Sequence, residues 1–253
     1  MDVSAGSLLN SLVDIAALAI ITFVLYRLQG QQIPQYLTAK VLLILTDVIV
    51  AIVIAMDLLT NFYQTDSYLN FDSIVEPMLI FVDAILVMTF SYLIYVRPPE
   101  PHLVDRLKTF LTKRVFPHNM IIASLGGYTI FLDAYLIVSR PFRLTTLPNL
   151  AGGGVTITTV YSYDALALFF PVMLVFLIYP SVQLFRVARR LTDRAARRGM
   201  LLVMLGLLAI GPALIGFDVL AETLGREAPS FGFLIIAIAF IPSSTVFQGA
   251  TAH

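Results

Sequence analysis

Eight acidic residues stand within or at the edges of long apolar stretches: Asp14, Asp47, Asp57, Glu76, Asp83, Asp133, Asp164 and Asp218. A charge inside a bilayer is costly and faces a bundle interior or a cavity. Glu76 and Asp83 are seven residues apart, so both lie on one helical face. Asp218 and Glu222, four apart, share a face as well. Carboxylates gathered in this way suit a cationic ligand, a metal ion or protons; their spacing names no particular metal. Arg140 and Arg143, and the hydroxyls of Tyr135, Tyr161 and Tyr163, fall at the same end and are available as partners.

These acids differ in what they require. Asp164 and Glu76 are expected to begin helices, where a carboxylate suits the positive end of the helix dipole. Asp57 and Asp218 lie about one turn from a helix boundary. Asp83 and Asp133 are deep enough to imply an interior role. Asp47 is the deepest acid, and the nearest basic residue, Lys40, lies about two turns away. Asp47 is therefore expected to be buried, and either protonated or hydrogen-bonded to a neighbour. Asp83 and Asp133 are expected to face one outward cavity, with Asp57, Asp218 and Asp14 around its rim.

The elements that position these residues follow from composition. Of 253 residues, 58% are hydrophobic and only 13% charged, against roughly 25% charged in ordinary globular domains. Sixteen basic and sixteen acidic residues cancel, so no global field attracts nucleic acid. Seven stretches reach the roughly 20 apolar residues that span a bilayer: 8–28, 39–60, 73–96, 118–138, 161–186, 199–221 and 231–247. The expected fold is all-α, a single domain forming a seven-transmembrane helix bundle. The first span lacks a basic leader and a small-residue cleavage site, so it reads as a retained helix.

Basic residues set the expected orientation. Thirteen flank the connections after spans one, three and five, among them Arg106, Lys108, Lys113, Arg189, Arg190 and Arg194. Three (Arg140, Arg143 and Arg226) lie on the other side. The N-terminus is then outside and the C-terminus cytoplasmic. Leu103, Leu107, Phe110 and Leu111 suggest an interfacial helix beside a cationic face. Between spans four and five, Phe142–Thr146 and Val155–Thr159 are rich in β-branched residues, with Pro148, Asn149 and Gly152–Gly154 between them. That pattern predicts a small outer β-hairpin.

Several chemistries are excluded. The chain has no cysteine, hence no disulfide or thiolate site. None of His102, His118 and His253 lies deep in a span, so no haem is expected. No lysine occurs in span seven, which excludes a retinal Schiff base. No nucleophile, base and orienting group can be assembled, so no enzyme is expected. Pro171, Pro180, Gly206, Gly211, Pro212, Gly216 and Pro242 punctuate the later spans, as is common in membrane helices.

The second half has a recognisable order. A hairpin-like outer connection leads into a tyrosine-bearing fifth helix. A basic inner loop follows, Arg186-Val187-Ala188-Arg189-Arg190 through Arg197-Arg198. Then comes a glycine-rich helix, Leu205-Gly206-Leu207-Leu208 to Gly211-Pro212. This arrangement resembles the seven-transmembrane N-terminal sensor module of prokaryotic histidine kinases. The resemblance implies an extracytoplasmic sensor in a prokaryotic plasma membrane. No HxxxP-like phosphoacceptor or ATP-binding segment occurs in the sequence, so the expected partner is a separate cytoplasmic or membrane protein at the basic inner loops. The alternatives are a non-catalytic accessory subunit of a larger membrane complex and, third, a small transporter.

The orientation has a direct test. With no native cysteine present, a membrane-impermeant maleimide on intact cells is expected to label Ser67→Cys and to spare Thr192→Cys. The reverse pattern overturns the orientation.

Overall fold

The computed structural model describes residues 5–30, 37–96, 116–148, 155–190, 194, 197–208 and 231–242. Asp218, the proposed interfacial helix at Leu103–Leu111 and much of the sixth span lie outside the described residues. The helices are α1 (Ala5–Gln29), α2 (Leu37–Thr60), α3 (Asp66–Val96), α4 (Phe116–Ser139), α5 (Tyr163–Arg190), α6 (197–208) and α7 (Phe231–Phe240). One antiparallel hairpin, β1 (Phe142–Pro148) with β2 (Val155–Tyr161), joins α4 to α5. The protein is thus an all-α chain with a small β-hairpin, as expected between spans four and five. Helices α1 to α5 are each long and apolar enough to cross a membrane, which makes this a multi-pass membrane protein.

Each long helix buries a stripe. On α1 it is Asn10, Asp14, Ala17, Ile21, Val24 and Leu28, spaced alternately four and three. On α2 it is Ala39, Leu43, Thr46, Asp47, Val50, Val53 and Ile54. On α5 it is Ala165, Phe169, Val172, Phe176, Pro180, Leu184 and Val187. Side chains three and four apart lie over one another on a helix, so each stripe forms a packing seam. The remaining faces keep large apolar side chains outermost, such as Ile15, Ile52, Phe170 and Ile178, as lipid contact requires. Helix α3 is the hub: it packs on α2, α4, α5 and both strands, while α7 packs on α1 and α2. Gly206 of α6 is required by close approach, because a Cβ there would collide with the Ala239 carbonyl of α7.

Helix α3 begins earlier than expected, at Asp66 rather than near Ser73. Thr65 caps it, its Oγ1 accepting from the Tyr68 N–H at 3.3 Å. Glu76 therefore does not begin a helix; it sits about three turns inside one, half-buried. Asp164 does begin one: it lies in the first turn of α5, exposed, behind the Ser162 cap. Helix α4 ends at Arg140, whose φ of 43° is left-handed. Its N–H donates to the Leu136 carbonyl at 3.2 Å, and Pro141 stops the helix there.

The hairpin docks on α3 at a point set by Pro77. Proline has no N–H, so the carbonyl four residues earlier, Ser73, loses its helical donor. The Tyr161 hydroxyl donates to that carbonyl at 2.8 Å. Ser73 Oγ and Thr159 Oγ1, 2.6 Å apart, add a second link. Rings continue the contact inward. Phe142 meets Tyr161, Tyr161 meets Phe169, and Phe169 meets Phe81 edge-on, with centroids 6.1, 5.6 and 5.3 Å apart.

Tyr161→Phe keeps the ring and removes the donor. It is expected to lower stability by about 1–3 kcal/mol, the cost of a buried acceptor left unsatisfied. Thermal unfolding in mild detergent measures this; no change would show that the hairpin is held by its rings alone.

Candidate functional site

The N-terminal ends of α1 and α3 and the C-terminal end of α2 form a polar belt. Asn61, just past α2, donates to Asp14 Oδ2 on α1 at 3.1 Å. Thr60 Oγ1 lies 3.4 Å from Asp72 Oδ2 on α3. The Tyr68 hydroxyl donates to the Met56 carbonyl at 3.0 Å. Asp57 and Glu76 are close enough to act electrostatically on Asp72 or Tyr68. Asp14, although fully buried, is thus tied to the end of α2. Asp72 belongs to this belt and was passed over at the sequence level. Its position, one turn before Glu76 on the same face, is the signal that marks it.

The same antiparallel register carries α2 and α3 inward. Asp47 lies thirteen residues below Thr60 and Asp83 eleven below Asp72, or about 20 and 16 Å at 1.5 Å per residue. The two carboxyls interact across the α2–α3 seam. Asp83 thus lies level with Asp47 on a helix that starts about two turns earlier than expected. Asp47 is wholly buried and Asp83 is 8% exposed. Both oxygens of Asp47, Asp83 Oδ1 and Thr46 Oγ1 are buried without a hydrogen-bond partner among the described residues. Thr46 stands beside Asp83 without closing a hydrogen bond of good geometry.

Asp83 lines a cavity of about 40 Å³ among α2, α3, α5 and α7. A water needs roughly 10–15 Å³ on this measure, so two or three fit. The other lining residues include Val53, Ile80, Phe176, Phe233 and Phe240; Asp83 is the one ionisable group among them. Pro180 removes the helical donor to the carbonyl of Phe176, a second acceptor on a cavity-lining turn. Next to this cavity, a void of only about 10 Å³ is walled by Leu43, Val87, Phe90, Val203, Leu207 and Phe240. Leu43 precedes Asp47 by about one turn on α2, and Val87 and Phe90 follow Asp83 on α3, so among the described residues apolar packing lies beyond the two acids on that side.

Among the described residues, Asp83 and Asp133 are not brought together at this cavity. Asp133 is half-buried on α4, beside the stripe Leu125, Thr129, Leu132 and Leu136, and is not among the lining residues. Depth in the sequence sets height but not azimuth, and α4 packs chiefly on α3. Arg140 and Arg143 are exposed at the α4–β1 turn and on β1, away from the buried acids. Tyr163 is also exposed and Tyr161 is engaged with Ser73. Tyr92 of α3 and Gln183, one turn on from Tyr179 of α5, both act electrostatically on the Tyr179 hydroxyl. Tyr179 and Gln183, four apart on one face, could have been found from spacing.

Among the described residues no three acids or histidines converge on a metal-binding position. Comparison with known proteins finds no matching family model and no similar protein of curated function.

Asp47→Asn tests the state of the deepest acid. A neutral carboxyl is closely mimicked by the amide, so stability in detergent is expected to change by less than about 1 kcal/mol. A loss of about 3–5 kcal/mol, the cost of breaking a buried ion pair, would show that Asp47 is ionised and matched by a cation.

Proposed function

We propose that this protein is a receptor-like membrane sensor that reads a small cation from the outer side and signals through a separate partner. The observation that carries this reading is Asp83, nine-tenths buried with an unpartnered oxygen, lining a cavity that is closed inward by apolar side chains. A carboxylate without a donor attracts a cation, and the space beside it limits that cation to one of roughly the size of a few waters. The acids of the outer belt raise the local concentration of cations at that end. A transporter needs polar groups along the whole path, whereas Leu43, Val87, Phe90 and Phe240 interrupt it.

Two features support a signalling role. The aromatic series Phe142–Tyr161–Phe169–Phe81 runs from the outer hairpin to within two residues of Asp83. Helix α5 then continues through Pro171 and Pro180 to Arg186, Arg189 and Arg190 at its inner end. The N-out orientation, the prokaryotic plasma membrane and the likeness to histidine-kinase sensor modules belong to this proposal.

One observation favours the accessory-subunit reading instead. Asp133 lies well inside α4, the least buried of the five long helices, with Oδ1 unpartnered. A carboxyl on a helix that sheds little surface suits a neighbouring membrane protein as its partner.

The readings separate by experiment. Purified protein in mild detergent is heated with ammonium, methylammonium, sodium, magnesium or calcium chloride. A cation that binds the folded form stabilises it by about 2.7 kcal/mol at a hundredfold excess over its Kd. The sensor reading expects one such stabiliser, lost in Asp83→Asn and kept in Asp133→Asn. No stabiliser, together with a stoichiometric membrane partner that Asp133→Leu releases, would give the subunit reading the lead.

A further inference from the structure

We propose that Asp47, Asp83 and Thr46 form a proton-binding site at the middle of the bundle, in which the two carboxyls hold an exchangeable proton between α2 and α3. The argument is a count of donors and acceptors. Asp47 Oδ1 and Oδ2, Asp83 Oδ1 and Thr46 Oγ1 are all buried and unpartnered. An ionised carboxylate only accepts, and the Thr46 hydroxyl supplies one O–H. Within a bilayer no bulk water supplies the missing donors. Two carboxylates sharing such a site cannot both be ionised. A proton on one carboxyl turns an acceptor into a donor and removes the repulsion in the same step.

No other described group competes for that role. The helices packed around the pair bring few ionisable side chains. Helix α1 presents Asp14, held by Asn61 at the outer end. Helix α5 faces the cavity with Phe176, and α7 with Phe233, Ile236 and Phe240. Helix α4 carries Asp133, outside the cavity. No lysine or arginine lies in the middle turns of any described helix: Arg27 and Lys40 sit near the ends of α1 and α2, Arg186 near the end of α5, and Arg197 and Arg198 at the start of α6. The cavity has room for water beside Asp83, and that water is the immediate donor and acceptor of the proton. A proton enters from water as hydronium and leaves the same way.

The site shares Asp83 with the sensor reading, and the test keeps the two separate. Infrared spectra of the full-length protein in detergent at neutral pH are recorded for wild type and for Asp47→Asn/Asp83→Asn. The wild-type-minus-variant difference is expected to contain a protonated-carboxyl C=O band that shifts on transfer to D2O. Asp133→Asn is expected to retain it. A difference containing only carboxylate bands would overturn the proposal. So would loss of the carboxyl band on adding sodium chloride at fixed pH, which would assign a metal cation in place of the proton. Should the double Asn variant fail to fold, Asp47→Glu and Asp83→Glu each replace the carboxyl with one in a different position. At least one is expected to move the band, and a band unmoved by both would refute the assignment. A null result in the cation screen leaves this outcome untouched.

Discussion

Polar groups in a bilayer must find their hydrogen bonds inside the protein, because the hydrocarbon offers none. That accounting governs how α1, α2 and α3 meet. Where the N-terminal ends of α1 and α3 meet the C-terminal end of α2, paired side chains meet part of the balance: Asn61 with Asp14, Thr60 with Asp72, Tyr68 with Met56. These contacts fix the register of α2 against α3, and the register carries Asp47 and Asp83 to one level further in. There the balance is not met by side chains.

Pro77 extends this logic to the hairpin. A proline inside a membrane helix is tolerated when a neighbour takes up the freed carbonyl. Here the neighbour is Tyr161, at the end of β2. The outer hairpin is therefore part of the helix's hydrogen bonding and not an appendage. Tyr161 also packs on Phe169, and Phe169 on Phe81, so ring contacts link the hairpin to the turn of α3 that carries Asp83. Helix α3 touches α2, α4, α5 and the hairpin, so displacing it affects most of the described bundle.

Much of this architecture was legible in the sequence. The apolar stretches gave α1 to α5 to within a few residues at most ends, and the β-branched runs around Gly152–Gly154 gave the hairpin. The start of α3 was missed because Asp66–Asp72 is too polar to read as membrane span, whereas the Thr65 cap and Asp66 are a helix-start signal. The acids were found by type, and Asp47 and Asp83 proved to be neighbours. Their partnership was not legible, since it depends on which face of α2 meets which face of α3. For the same reason Asp83 was joined to Asp133: both were judged by depth, and depth is blind to rotation about the helix axis. Thr46 was overlooked as an ordinary β-branched residue in an apolar run.

The inner closure decides what kind of machine suits the site. Leu43, Val87, Phe90, Val203, Leu207 and Phe240 meet with almost no free volume. Phe240 also walls the cavity of Asp83, so one side chain touches both the occupied level and the seal beneath it. Adding a charge or a water next to Asp83 acts directly on Phe240, and through it on α7 and the Gly206–Ala239 crossing. A packed core of this kind resists small deformation and yields by switching between arrangements. An occupant at Asp83 biases such a switch by its differential affinity for the two arrangements and no more.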